Sequence, residues 1–177
     1  MPLAALGEWT PTPNRPNVVD IMERSHEGRL QWLLGVRTAR MAASPFAFYR
    51  GAAALMAADL ATTPTAGLNA QLCGDAHLSN FGVFATPDRA LVFDLNDFDE
   101  AAMAPAEWDL KRLVTSAILG ARQLKFPETA VSDIAHGAAG AYRDALVAMM
   151  QMSVLDRFYL RAEPIKQSDL VSAPFGE

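Results

Sequence analysis

The stretch Cys73-Gly74-Asp75-Ala76-His77-Leu78-Ser79-Asn80-Phe81-Gly82, followed by Leu91-Val92-Phe93-Asp94-Leu95-Asn96-Asp97-Phe98-Asp99-Glu100, decides how this chain folds. Three short apolar runs frame it. Leu68 to Cys73 enters the first polar segment, Phe81 to Ala85 leaves it, and Ala90 to Asp94 enters the second. Pro87-Asp88 supplies the turn between the last two, because proline pre-sets the turn backbone and Asp bonds its own neighbours. The pattern predicts a small β element bearing acidic loops. Outward from it the period becomes helical. Pro105 opens a helix to about Leu124, with Trp108, Leu110, Leu113, Val114 and Ala117 as its apolar stripe. Phe126-Pro127 breaks it, and a second long helix runs from Pro127 to about Met152. Upstream, Ser44-Pro45 reads as an N-cap with a first-turn proline, opening a helix to about Ala61. Val18 to Ala42 is helical in period but interrupted by the polar stretch Glu23 to Arg29. Residues 1–17 are proline-rich and read as an extended lead-in, and 162–177 as a loose tail, leaving 18–161 as one domain. The expected class is α+β, mostly helical: a short β-hairpin region carrying acidic loops, packed on long helices.

Composition narrows the function. The chain has 177 residues, 51% of them apolar, enough for one core. A net charge of −5 argues against a broad basic surface for nucleic acid. Cys73 is the only cysteine, which excludes an internal disulfide framework and a cysteine-rich zinc site and fits a reducing cytoplasm. The N-terminus lacks a basic n-region with an apolar core, and no run of about 18 apolar residues occurs, so neither a secretory signal nor a membrane span is expected.

The chemistry lies in the two acidic loops. An Asp and an Asn five positions apart, then a strand ending in Asp, match the placement of a base and two magnesium ligands in phosphoryl transfer. Asp75 is the candidate base, with His77 beside it, and Asn80 a candidate metal ligand. Asp94 and Asp97 are the further candidates for Mg²⁺, with Mn²⁺ as a substitute. The alternative for Asp75–Asn80 is an ordinary turn, and for Asp94–Glu100 a solvated charge run. Against the latter, Phe93, Leu95 and Phe98 interleave the acids, and carboxylates held near an apolar wall repel one another unless a cation joins them. The Gly-Asp-x-His string also fits a metal-dependent phosphoesterase, which needs more histidines than His26, His77 and His136. An upstream basic segment holds Arg24, Arg29, Arg37 and Arg40. Arg40 and Arg50 are the candidate cofactor-binding residues, Arg50 serving equally well as a partner for Asp59 or Asp109. Trp108-Asp109 reads as an aromatic anchor with a carboxylate that braces the catalytic loop.

Four strings together resemble the bacterial "domain of unknown function 2252" family. They are Arg40-Met41 through Ser44-Pro45-Phe46-Ala47-Phe48-Tyr49-Arg50-Gly51-Ala52-Ala53, the Cys73–Gly82 segment, Val92 to Glu100, and Glu107-Trp108-Asp109-Leu110-Lys111-Arg112-Leu113. That family is similar to the aminoglycoside phosphotransferase and choline kinase branch of the protein-kinase-like fold. Its members carry a Gly-Asp-Leu-His-Pro-Gly-Asn string, matched here at Gly74, Asp75, His77 and Asn80. The resemblance implies a kinase C-lobe-like domain and ATP- and Mg²⁺-dependent transfer to a small-molecule or protein hydroxyl, or an inactive remnant of it. Counting forward from Asp75, it selects Asp94 as metal ligand; counting back from Trp108-Asp109, it selects Asp97. The position two before Asp75, often His in the relatives, is Cys73. No Gly-x-Gly-x-x-Gly occurs in the chain. The expectation is therefore the catalytic-loop half alone, with ATP bound only when a complementing lobe or a second copy supplies the rest. The alternatives are a non-catalytic binding or assembly module whose acidic loop holds a cation, and the phosphoesterase. Asp75 is expected to matter for chemistry rather than folding, and Asp109 the reverse.

Overall fold

The computed structural model describes residues 12–162 together with Gly7 and Thr10. The expected tail beyond 162, and most of the lead-in before 12, lie outside the described residues.

The helical arm is α1 (Val18–Arg24) and α2 (Gln31–Met41), separated where the sequence turns polar. Asn17 caps α1 by accepting the Val19 amide at 2.8 Å. Gly28, at φ +74°, takes the left-handed conformation in the turn between the two helices. Ser44 caps the next helix as its sequence predicts, accepting the Ala47 amide at 3.0 Å with Pro45 in the first turn. The single helix expected from Pro45 is two, α3 (Pro45–Arg50) and α4 (Ala53–Leu60). The break falls at Gly51, where a side chain would start 2.7 Å from the Met41 sulfur. The Gly51 carbonyl accepts Arg37 Nη2 at 2.8 Å, tying the break to α2.

Four strands follow: β1 (Asn69–Leu72), β2 (Phe81–Ala85), β3 (Leu91–Leu95) and β4 (Ala102–Pro105). β2 and β3 form an antiparallel hairpin, from Phe81↔Leu95 to Ala85↔Leu91. β1 pairs antiparallel with β4, from Asn69↔Pro105 to Leu72↔Ala102, so the hairpin is nested inside an outer pair. β4 is an addition to the three strands expected. Its sequence, Ala102-Met103-Ala104-Pro105, has little intrinsic strand preference, and pairing with β1 decides its conformation. Because Pro105 closes β4, the helix expected to open there starts at Glu107 instead.

That helix, α5 (Glu107–Gln123), is followed by α6 (Glu128–Met150) and the short α7 (Val154–Phe158). α5 is central. α6 packs along it, α3 and α4 meet it, and a one-turn 3-10 helix, Leu78–Asn80, rests on it. Ala121 of α5 and Val131 of α6 are buried, as are Leu72, Cys73 and Ala76 around the first acidic loop. The class is α+β and mostly helical. Among the described residues no helix is long and apolar enough to cross a membrane.

Candidate functional site

One face of α5 builds the first loop. Asp109, Arg112 and Ser116 recur at three- and four-residue spacing, so they project from the same side of the helix. Asp109 accepts the amides of Cys73 at 2.7 Å and Gly74 at 3.0 Å through separate carboxylate oxygens. Ser116, completely buried, accepts the Leu78 amide at 3.0 Å and donates to the Leu113 carbonyl at 2.7 Å. The expected brace by Asp109 is therefore part of a three-point mount. Within the loop, the Asp75 carbonyl accepts the His77 amide and the Asn80 side-chain amide, both at 2.8 Å.

The second loop, 96–101, is fastened to the first. The Asn96 amide donates to the Asn80 carbonyl at 2.8 Å, and the Cys73 thiol donates to the Asp97 carbonyl at 3.0 Å. Gly74 sits at φ +86°, and a Cβ there would fall 2.0 Å from the Glu100 carbonyl oxygen. Glycine is required at that position on both counts: backbone conformation and contact with the opposite loop.

Asp75 is held by charge. Arg112 Nε and Nη2 both bind its Oδ1, at 2.6 and 2.5 Å, while Oδ2 lies 3.7 Å from His77 Nε2. Arg112 is only 3% exposed. Its Nη2 also donates to the Tyr49 carbonyl at 2.8 Å, and the guanidinium lies 4.3 Å from the Tyr49 ring centroid. His77 is buried, and its Nδ1 has no hydrogen-bond partner. Burial pulls its pKa below the usual histidine value; Asp75 opposes this, and Arg112 and Arg50 reinforce it. The ring beside Asp75 is therefore neutral near pH 7.

Both loops open into a cleft of about 960 Å³. Asp75, His77, Asn80, Asp97, Asp99 and Glu100 form one side. Arg29 comes from the turn before α2, Arg37 and Arg40 from α2, and Arg50 from the end of α3. The structure thus gathers Asp75, His77, Asn80, Asp97, Arg40 and Arg50 in one place. It does not bring Asp94 there: on β3, Asp94 accepts its neighbour's amide, Leu95 N, at 2.8 Å. Arg50 pairs with neither Asp59 nor Asp109, since Asp59 binds Arg15 at 2.6 Å and Asp109 holds the loop amides.

The Asn80 and Asp97 side chains are oxygen donors that the two loops bring to the cleft. Asn80 uses its amide nitrogen on Asp75, and Asp97 uses Oδ1 to accept the Asp99 amide at 3.2 Å, which leaves one oxygen on each. Among the described residues no three His, Cys, Asp or Glu side chains converge to hold a metal. A hard cation here would complete its shell with water or ligand oxygens, as Mg²⁺ usually does.

Arg112, Ser116 and Tyr49 are absent from the sequence-based candidates. The signal for the first two was a polar triplet, Asp109, Arg112 and Ser116, at the three- and four-residue spacing of one helix face. Tyr49 left no such signal: it meets Arg112 through its backbone carbonyl, its ring face and its hydroxyl, which donates to the Arg112 carbonyl at 3.0 Å, all across 63 residues of sequence.

A family model described as "Uncharacterized protein conserved in bacteria (DUF2252)" matches residues 29–173. No curated protein and no solved structure matches the chain.

Proposed function

The chain belongs to the bacterial DUF2252 family of uncharacterized proteins, and we propose for it a site of magnesium-assisted phosphoryl transfer to a hydroxyl group. One observation carries this reading. The Asp75–Asn80 loop and the Asp97 loop, which flank the open end of the nested hairpin, open into the same cleft. In this reading Asp75 Oδ2 accepts the proton of the acceptor hydroxyl. Arg112 fixes the carboxylate by its other oxygen, and neutral His77 leaves that proton no competing charge. Asn80 and Asp97 hold the cation, and Asp97 takes precedence over Asp94. Bound Mg²⁺ supplies neutralisation of the charge on the transferred group. ATP is the proposed donor only where a glycine-rich element joins the site, because this sequence contains no such loop.

One observation favours a second reading, a non-catalytic module that binds a cation or a basic side chain. Asp75 is committed to a buried arginine, as structural carboxylates are. The two readings differ in turnover: Mg²⁺-dependent phosphate release from ATP that disappears in Asp75→Asn, at a temperature where a melt shows the variant still folded, supports the first.

The cation site itself is tested by thermal melts with Mg²⁺ or Mn²⁺ up to roughly 10 mM. For a dissociation constant of about 1 mM the folded state gains about 1.4 kcal/mol, and the melting temperature rises by a few degrees. Asp97→Asn abolishes that rise and Asp94→Asn preserves it. Wild type and Asp97→Asn responding alike would remove the cation site from the proposal.

A further inference from the structure

The helical side of the cleft carries four guanidinium groups, and among the described residues none of them has a carboxylate partner. Arg40 and Arg50 make no hydrogen bond there either. Arg37 donates one bond, to the Gly51 carbonyl, and its buried Nε is unpartnered. Arg29 donates to the Ser25 carbonyl at 2.9 Å. The groups feel one another: burial, then the charge of Arg29, lowers the Arg37 pKa, while Glu100 and Asp75 act the other way. Asp97, Asp99 and Glu100 line the same cleft, yet none closes onto an arginine as an ion pair. Charged groups of one sign gathered in a concave space repel, and the repulsion is relieved when an anion enters.

We infer that Arg29, Arg37, Arg40 and Arg50 form an anion site for a compound carrying a diphosphate or at least two phosphate groups. The class follows from charge and shape. A single carboxylate satisfies one guanidinium fork, whereas linked phosphates present several acceptor oxygens to several forks. The cleft volume is that of a small-molecule site. The inference extends the phosphoryl-transfer reading, in which the acidic side carries the ligand's divalent cation. The arginine side needs no metal, and this separates the two. The same chemistry has two sources, a nucleotide donor or a phosphorylated acceptor.

The test is calorimetry of the full chain with inorganic pyrophosphate in EDTA at low salt. Sub-millimolar binding is expected, weakening by about tenfold or more in Arg40→Gln/Arg50→Gln and by less in Arg40→Lys/Arg50→Lys, which keeps charge but loses the fork. Asp97→Asn binds pyrophosphate in EDTA at least as well as wild type, because it removes a repelling charge. Competition then assigns the source: displacement by ADP marks a donor site, and displacement by a sugar bisphosphate but not ADP marks an acceptor site. Absence of binding at about 5 mM pyrophosphate, or equal binding by wild type and Arg40→Gln/Arg50→Gln, overturns the inference. Both arginines are exposed, and a thermal melt of each variant verifies its fold. A metal-induced melting shift that fails while EDTA-resistant binding persists removes the cation site and leaves the anion site standing.

Discussion

Asp75→Asn is expected to destabilise the fold, in contrast to what the sequence alone predicts. The substitution keeps an oxygen acceptor for Arg112 but removes its only carboxylate partner among the described residues. Arg112, 3% exposed, is left with the Tyr49 carbonyl and ring. Removing one member of a buried ion pair costs about 3–5 kcal/mol. The retained acceptor and the 16% exposure of the Asp75 side chain place this case near the lower end, at about 3 kcal/mol. In a domain of this size that lowers the melting temperature by about 6–12 °C. Arg112→Met is expected to cost about 2–3 kcal/mol, because the abandoned carboxylate borders the open cleft and can rehydrate. The double variant should fall short of the sum by about 2 kcal/mol, since the second change removes a group that the first left unpaired. Urea melts of the four proteins at pH 7.5 measure the cycle. A change below about 1 kcal/mol for Asp75→Asn, with additive single effects, would refute the reasoning and return Asp75 to a purely chemical role.

Asp109→Ala should lower the unfolding free energy by about 2–4 kcal/mol, because two part-buried amides lose a charged acceptor; hydrogen exchange should quicken at Cys73 and Gly74 ahead of α6, and unchanged exchange there would contradict the brace. His77 gives a pH dependence: its folded pKa lies below its unfolded value, so the unfolded chain binds the proton more readily. That contribution to stability is intact above about pH 6.5 and is lost as pH falls through the lowered folded pKa. His77→Asn should therefore flatten the stability–pH curve below pH 6.5, and a curve as steep as wild type would exclude His77 as its source. Gly74→Ala should impair folding or solubility, since the new methyl meets the Glu100 carbonyl and strains a positive φ; a variant that melts like wild type would show that the two loops tolerate separation.

Much of the fold was legible because local chemistry wrote it. Ser44-Pro45 marked a helix start that the structure reproduces, and Phe126-Pro127 marked the break between α5 and α6. Alternating apolar runs gave β1, β2 and β3. β4 was not legible, because Ala102-Met103-Ala104 becomes a strand only through a partner some thirty residues away. The break at Gly51 is accompanied by contacts from α2, the Met41 side chain and the Arg37 guanidinium, which no local pattern carries. At the site, spacing within one loop singled out Asp75, His77 and Asn80, and all three line the cleft. Counting along the chain left Asp94 and Asp97 tied; of the two, Asp97 lines the cleft and Asp94 lies on β3. Arg112 was missed because a lone arginine in a helix reads as solvated, whereas here its neighbours close over it.

The nesting of the strands sets the order in which the site comes into being. The β2–β3 hairpin closes a short turn and can form by itself early. β1 and β4 meet only across a span that contains the hairpin and both acidic loops, so their pairing carries a larger closure entropy and comes later. One zipping event then fixes the loop before the hairpin and the loop after it, and α5, which follows β4 directly, arrives with Asp109, Arg112 and Ser116 in the same step. The two acidic loops are therefore acquired and lost together. A chain that frays at β4 loses the fastening of both loops at once, so any activity should vanish in a single cooperative step.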